Sequence, residues 1–244
     1  MGKSTIWLSL IAIVVSFIAG FMLANTINRG ELTMLRTEND RLKSQPSQSP
    51  SGNQEPTLSI EEIKEKIAEA DANPEKFDFQ RNLGGALYRY GALKQDVALI
   101  TDANRLLQRA HQLNPNDFDV VLALAHSFFD MGHYNKQNDK FVKAREYYTK
   151  ALAMKPRDVE VQTEIAMTHF LLNPPDYDRS IPEFQKSLQI DRKHVKTLQF
   201  LAESYARTGK TSEAEKTLAT LREVDPSNTM ISQVQSLLTQ GSAQ

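Results

Sequence analysis

The chain of 244 residues contains no cysteine. Disulfides, thiolate metal sites and thiol nucleophiles are excluded, as is a lipid anchor carried on an N-terminal cysteine. An excess of one charge is also missing, since 29 basic and 30 acidic side chains leave a formal charge of -1. That balance supplies no bulk attraction to nucleic acid or to an anionic surface, so no nucleic-acid partner is expected. The five histidines, His111, His126, His133, His169 and His194, show no HExxH or other paired-ligand spacing. His126 and Asp130 lie one helical turn apart, but two ligands do not make a metal site. A glycine-rich phosphate loop and a GxSxG elbow are absent, and nothing pairs a nucleophile with a base. No metal, cofactor or catalytic residue is expected, and the chain reads as a non-enzyme.

One stretch lacks charge altogether, from Ser4 to Asn28. Its apolar part, Ile6 to Ala24, is 19 residues long. As a helix it spans roughly 28 Å, close to the hydrocarbon thickness of a bilayer. Residues 6–25 are expected to be a single-pass transmembrane anchor. A removed signal peptide is the alternative; the run exceeds the usual apolar core of such peptides, and Met22 is too large for the third position before a cut at Ala24. Ala12, Ser16, Gly20 and Ala24 recur every four residues. That ladder either pairs two membrane helices closely or reflects the ordinary composition of such helices. Residues 30–43 follow as a charged juxtamembrane helix. Leu32, Leu35, Asn39 and Leu42 fall at a, d, a and d of a short heptad seam, where the Asn favours a parallel homodimer. The seam is too short to hold a coiled coil alone, so a plain helix stays open. Residues 44–57, SQPSQSPSGNQEPT, have no large apolar side chain and read as a flexible linker. Arg29, Arg36, Arg41 and Lys43 favour a cytoplasmic domain by the positive-inside count. The short N-terminal tail and the Pro/Ser/Gln linker favour the exported, periplasmic side, which is the expectation adopted, with the cytoplasmic one open.

Beyond the linker the chain has a rhythm. Ser59 and Glu62 form a capping box that starts a helix ending near Pro74. A small residue and a terminating residue then recur twelve apart: Ala103 and Pro115, Ala144 and Pro156, Ser180 and Arg192, Ala214 and Pro226. Leu107, Tyr148, Phe184 and Leu218 follow the small residue by four, and Ala110, Ala151, Ser187 and Leu221 come three later. Helical units repeating every 34 to 41 residues indicate a stacked array of helix hairpins.

These residues resemble the tetratricopeptide repeat (TPR) family. On the first helix of each unit the matching large, small and aromatic residues are Gly84, Gly85 and Tyr88, then Leu124, Ala125 and Phe128, then Ile165, Ala166 and His169, then Leu201, Ala202 and Tyr205. The resemblance implies an all-α, right-handed superhelical TPR array over 59–240. It comprises a helical cap at 59–73, repeats at about 77–115, 118–156, 159–192 and 194–226, and a capping helix at 227–240. The extra residues of the first three repeats are expected in the turns between paired helices. Asp96 is expected to cap a second helix lengthened by a turn, and Asp139 the next second helix, after a polar loop from Gly132 to Asn138.

The resemblance also implies function. Such arrays bind polypeptides on the face lined by their first helices. Carried over, that face comprises Phe79, Asn82, Ala86 and Arg89, then Asp119, Leu122, His126 and Phe129, then Glu160, Thr163, Met167 and Phe170, then Lys196, Gln199, Glu203 and Ala206. Asn82 and Ala86 do not supply the Lys and Asn with which some family members hold a C-terminal carboxylate. The expected ligand is a peptide held by apolar contact, with Phe129, Met167 and Phe170 as anchors. The other reading of these aromatics is that they pack between repeats. The layout is similar to bacterial membrane-anchored TPR subunits such as those of cytochrome c maturation. The expected role is a membrane-anchored protein-protein interaction scaffold; the alternative is a chaperone-like accessory subunit of a translocation or envelope assembly machine.

Overall fold

A computed structural model describes residues 59–241. The anchor at 6–25, the juxtamembrane helix at 30–43 and the linker at 44–57 lie outside the described residues. So do Ala12, Ser16, Gly20, Ala24, Leu35, Asn39 and Leu42. Among the described residues no helix is long and apolar enough to cross a membrane.

The described residues form ten helices and no strand. Helix α1 spans Ile60–Ala72. Four hairpins follow: α2 (Phe77–Lys94) with α3 (Val97–Leu113), α4 (Phe118–Asn135) with α5 (Asn138–Met154), α6 (Val159–Phe170) with α7 (Tyr177–Ile190), and α8 (Val195–Arg207) with α9 (Thr211–Val224). Helix α10, Met230–Gly241, closes the series. Each helix packs on its sequence neighbours. In addition α2 touches α4, α6 touches α8, and α8 touches α10. The first helices of the hairpins therefore line the inner face. Helix α10 occupies the place of a fifth first helix and buries Ile231 and Val234 against Leu198, Ala202, Leu218 and Leu221.

Helix starts follow local chemistry. Ser59 and Glu62 exchange both bonds of a capping box, at 2.8 and 3.2 Å. Asp96, Asp117, Asp158 and Asp176 each accept from backbone N–H groups of the helix they precede. The second helices carry the structural rhythm. Ala103, Leu107, Ala110, Ala144, Tyr148, Ala151, Ser180, Phe184, Ser187, Ala214, Leu218 and Leu221 are all buried. The small members let helices approach, and the large member fills the space between them, each contributing about 1.5–3 kcal/mol by leaving water.

Three expectations are corrected. The extra length of the first two repeats is helix in both members of each hairpin; the longer second helix capped by Asp96 is as expected, and the longer first helices are not. Helices α2 and α3 have 18 and 17 residues and α4 and α5 have 18 and 17, against 13 and 14 in α8 and α9. Gly91 and Gly132 explain how the lengthened hairpins stay closed, because a Cβ on either would stand 3.0–3.2 Å from Ile100 or Phe141. The stretch Gly132–Asn138 is accordingly mostly helical, and Asp139 lies inside the first turn of α5, where it makes no cap.

The third correction is a one-residue slip in the first repeat. Phe77 and Phe118 begin equivalent helices, 41 residues apart in the chain. At that spacing the buried residues Gln80, Gly84, Leu87 and Gly91 correspond to Val121, Ala125, Phe128 and Gly132. The small residue against the second helix is therefore Gly84, where a Cβ would meet Leu107 at 2.9 Å. Gly85 is the equivalent of His126 and faces inward. Phe79, expected on the inner face, instead packs among Ile63, Ala70, Leu87 and Leu106.

Candidate functional site: an inner cleft between the first two repeats

The corrected register places Arg81, Gly85 and Tyr88 along the inner side of α2, opposite Asp119, Leu122 and His126 of α4. Between them lies an open cleft of about 540 Å³. Asn82 and Arg89 flank it on the α2 side, and Leu107, Val120 and Ala123 form apolar parts of its wall. Of the residues expected on the inner face, Asn82, Arg89, Asp119, Leu122 and His126 thus meet at one place. Arg81, Gly85 and Tyr88 are the lining residues that the off-by-one register missed. The signal that finds them is the spacing of Ala103 to Ala144 and of Pro115 to Pro156, both 41 residues, which applied to Ala125 gives Gly84.

The two ends of the cleft differ in charge. At one end Arg81 binds two carboxylates, Asp117 at 3.3 Å and Asp119 at 2.7 Å. Asp117 is also the cap of α4. At the other end the Tyr88 hydroxyl donates to Asp130 Oδ2 at 3.0 Å. The Tyr88 ring stacks on His126 at 6.1 Å, and His126 stands edge-on to Tyr148 at 5.4 Å. Burial pushes the His126 imidazole below its ordinary pKa, which favours the neutral ring. Burial pushes the Asp130 carboxyl and the Tyr88 phenol above theirs. Arg89 is exposed and makes no ion pair among the described residues.

Gly85 has no packing partner of its own. A Cβ there would meet only the Arg89 Nη1, at 3.5 Å, the far end of a flexible side chain. A glycine inside a helix costs about 1 kcal/mol relative to alanine. At Gly84 tight packing against Leu107 offsets that cost; at Gly85 nothing in the described residues does.

The remaining expected residues sit elsewhere. Phe129 is half-buried and edges onto Phe141 and Tyr148. Met167 and Phe170 are 5% and 9% exposed. The Phe170 ring lies 5.2 Å from Phe200 and also meets Tyr177 and Phe184, so these two are inter-repeat packing and not open anchors. Thr163 is fully buried and shares hydrogen bonds of 2.7 and 2.8 Å with the Ser187 and Thr197 hydroxyls. Its neighbour His194 reaches Thr197 at 2.7 Å and Glu160 at 2.9 Å. Gln199 donates to Asn228 in the connection to α10. Physically, the helices of repeats three and four approach closely enough for their own side chains to fill the inner positions. Among the described residues no group of three or more His, Cys, Asp or Glu side chains is placed to hold a metal.

Comparison with known proteins bears on this arrangement. Residues 125–158 and 176–240 match two family models, each described as a tetratricopeptide repeat. The matched residues take in most of the second hairpin and the chain from α7 to α10, and the array has the fold of TPR proteins. The second match runs from α7 to α10, consistent with α10 standing as a further first helix. YrrB, described as a TPR protein with an unusual peptide-binding site, is 14% identical, with a TM-score of 0.56 over 72% of this chain and 85% of its own. MamA from Desulfovibrio magneticus RS-1 is 16% identical, with a TM-score of 0.54 over 69% of this chain and 86% of its own. A thermophilic TPR protein from Thermus thermophilus is 16% identical, with a TM-score of 0.51 over 73% of this chain and 89% of its own. At these identities the likeness is one of fold. No curated protein matches the sequence.

Proposed function

We propose that this chain is a protein-protein interaction scaffold that holds a partner polypeptide in the cleft between α2 and α4, and that residues 6–25 tether it to a membrane as a single-pass anchor, with the TPR array on the exported side. The observation that carries the first part is the cleft itself. It lies on the inner face, is open over about 540 Å³, and mixes apolar wall with charged ends, as peptide sites do. Elsewhere on that face Thr163, Met167, Phe170 and Glu203 are buried by the chain's own packing. YrrB, with the same fold, has a peptide-binding site by its description, which supports a peptide as the class of ligand. The tether rests on the uncharged 19-residue run alone.

The test is site-specific photo-crosslinking of the full-length chain in its native membrane. A crosslinker at Ala123 is expected to capture a partner; one at Thr149, exposed on α5, is not. Asn82→Trp is expected to fill the cleft from its exposed flank and abolish capture at Ala123 without lowering Tm. Capture that survives Asn82→Trp sinks this reading.

A further inference from the structure

Resting on the cleft as the partner site, the chemistry of the partner can be narrowed. The cleft is polarised. Its Arg81 end holds two carboxylates for one guanidinium, and Asp119 there is 71% exposed in its side chain. Its far end holds the exposed Arg89, without an ion pair among the described residues. The other charged groups near the far end are already engaged. Asp130 accepts from Tyr88, and Glu164 is paired with Lys196. The His126 ring is stacked on Tyr88. Arg89 is therefore a cation without a carboxylate partner at that end among the described residues, and Asp119 is the outermost acid at the other.

The spacing between the two ends sets a ruler. Arg81 and Arg89 are eight residues apart on one helix, about 12 Å along its axis. An extended chain covers that distance in about four residues. Between them stands Gly85, bare of side chain, and the Arg89 guanidinium reaches back over it, since a Cβ on Gly85 would meet Arg89 Nη1 at 3.5 Å. His126, Met167 and Glu203 take the equivalent place in the other repeats.

We propose that the cleft selects an extended segment bearing opposite charges about four residues apart, with its basic side chain at Asp119 and its carboxylate at the Arg89 guanidinium over Gly85. Like charges at either end are excluded by repulsion, so the couple confers specificity more than affinity.

The experiment is selection of a random linear peptide library on immobilised full-length chain in detergent micelles. Wild type, Arg89→Glu, Asp119→Lys and Asn82→Trp are run in parallel, with Tm measured for each. Peptides enriched by wild type are expected to carry a Lys or Arg and an Asp or Glu three to five residues apart. Arg89→Glu is expected to enrich peptides with two basic residues, and Asp119→Lys peptides with two acidic ones. A wild-type peptide is expected to lose roughly fivefold in affinity on either charge reversal. Enriched peptides without that spacing, or an Arg89→Glu selection identical to wild type, overturn the charge couple; if Asn82→Trp still abolishes enrichment, the cleft remains the binding site. Enrichment that survives Asn82→Trp, or no enrichment at all, overturns the cleft and the couple together.

Discussion

Between α2 and α4 the inward positions carry Arg81, Gly85, Tyr88, Leu122 and His126 around open space. Between α6 and α8 the equivalent positions carry Thr163, Met167, Phe170, Gln199 and Glu203, of which all but Gln199 are buried. The same repeat geometry thus gives an open seam in one half and a packed seam in the other. Two features separate them. In the packed seam, small hydroxyl side chains at Thr163, Ser187 and Thr197 bond one another at 2.7–2.8 Å and let the backbones come together. In the open seam, the residue that could fill the gap from α2 is a glycine. Which part of a TPR face is available to a ligand is therefore decided by a few side-chain volumes.

The contrast can be broken most forcefully at Phe170. As a buried ring among Tyr177, Phe184 and Phe200, its replacement by alanine is expected to cost about 3–5 kcal/mol, read by chemical denaturation. Unchanged stability would return Phe170 to the role of an exposed anchor. Next is Thr197→Val, which keeps the shape but removes a hydroxyl that contacts Thr163, Ser187 and His194. The loss expected is about 1–3 kcal/mol; a neutral result would mean that shape alone closes the seam.

Acid should act on both seams. Burial lowers the pKa of His126 in the open seam and of His169 in the packed repeat below the unfolded value of about 6.5. Their contribution is present above that value and is lost as pH falls through it, because the unfolded chain takes up the protons first. Tm is expected to drop between pH 7 and 5.5, and His126→Gln with His169→Gln to flatten the drop. A slope equal to wild type in the double variant would remove these rings from the account. The smallest effect concerns the lengthened hairpins. Gln95 and Lys136 end α2 and α4 with φ of 55° and 54°, where α8 is followed by Gly209 at 72°. Gln95→Gly and Lys136→Gly are each expected to gain about 0.5–1 kcal/mol by relieving left-handed backbone. Destabilisation by either would show that its side chain holds the tip together.

The second helices were legible because their rhythm is strict: Ala103 and its counterparts are small, and Leu107 and its counterparts large, where only that size fits. The capping box at Ser59 was equally plain, since both partners are local. The first helix of repeat one was not, because adjacent Gly84 and Gly85 satisfy the small position equally well, and only contact with Leu107 distinguishes them. The longer first helices were not legible, because the polar residues that end them, such as His133 to Gln137, suit helix or loop equally. Of the sixteen residues expected on the inner face, Asn82, Arg89, Asp119, Leu122 and His126 line the cleft. Thr163, Met167 and Phe170 were out of reach of sequence, because whether an inward position is open depends on how closely the neighbouring helix approaches.

Gln80 has a mechanical consequence. Its side-chain amide donates to Ala70 O at 2.6 Å and to Asn73 O at 2.9 Å, fastening the end of α1 to α2. Helix α1 buries only Ile63 and Ala70. Any tension arriving from the residues before Ser59 enters the array through α1. The Gln80 amide and the Asp71 carboxylate, which pairs with Arg105 and Arg109 of α3, together act as the fuse, yielding before the tightly packed hairpins behind them take up strain.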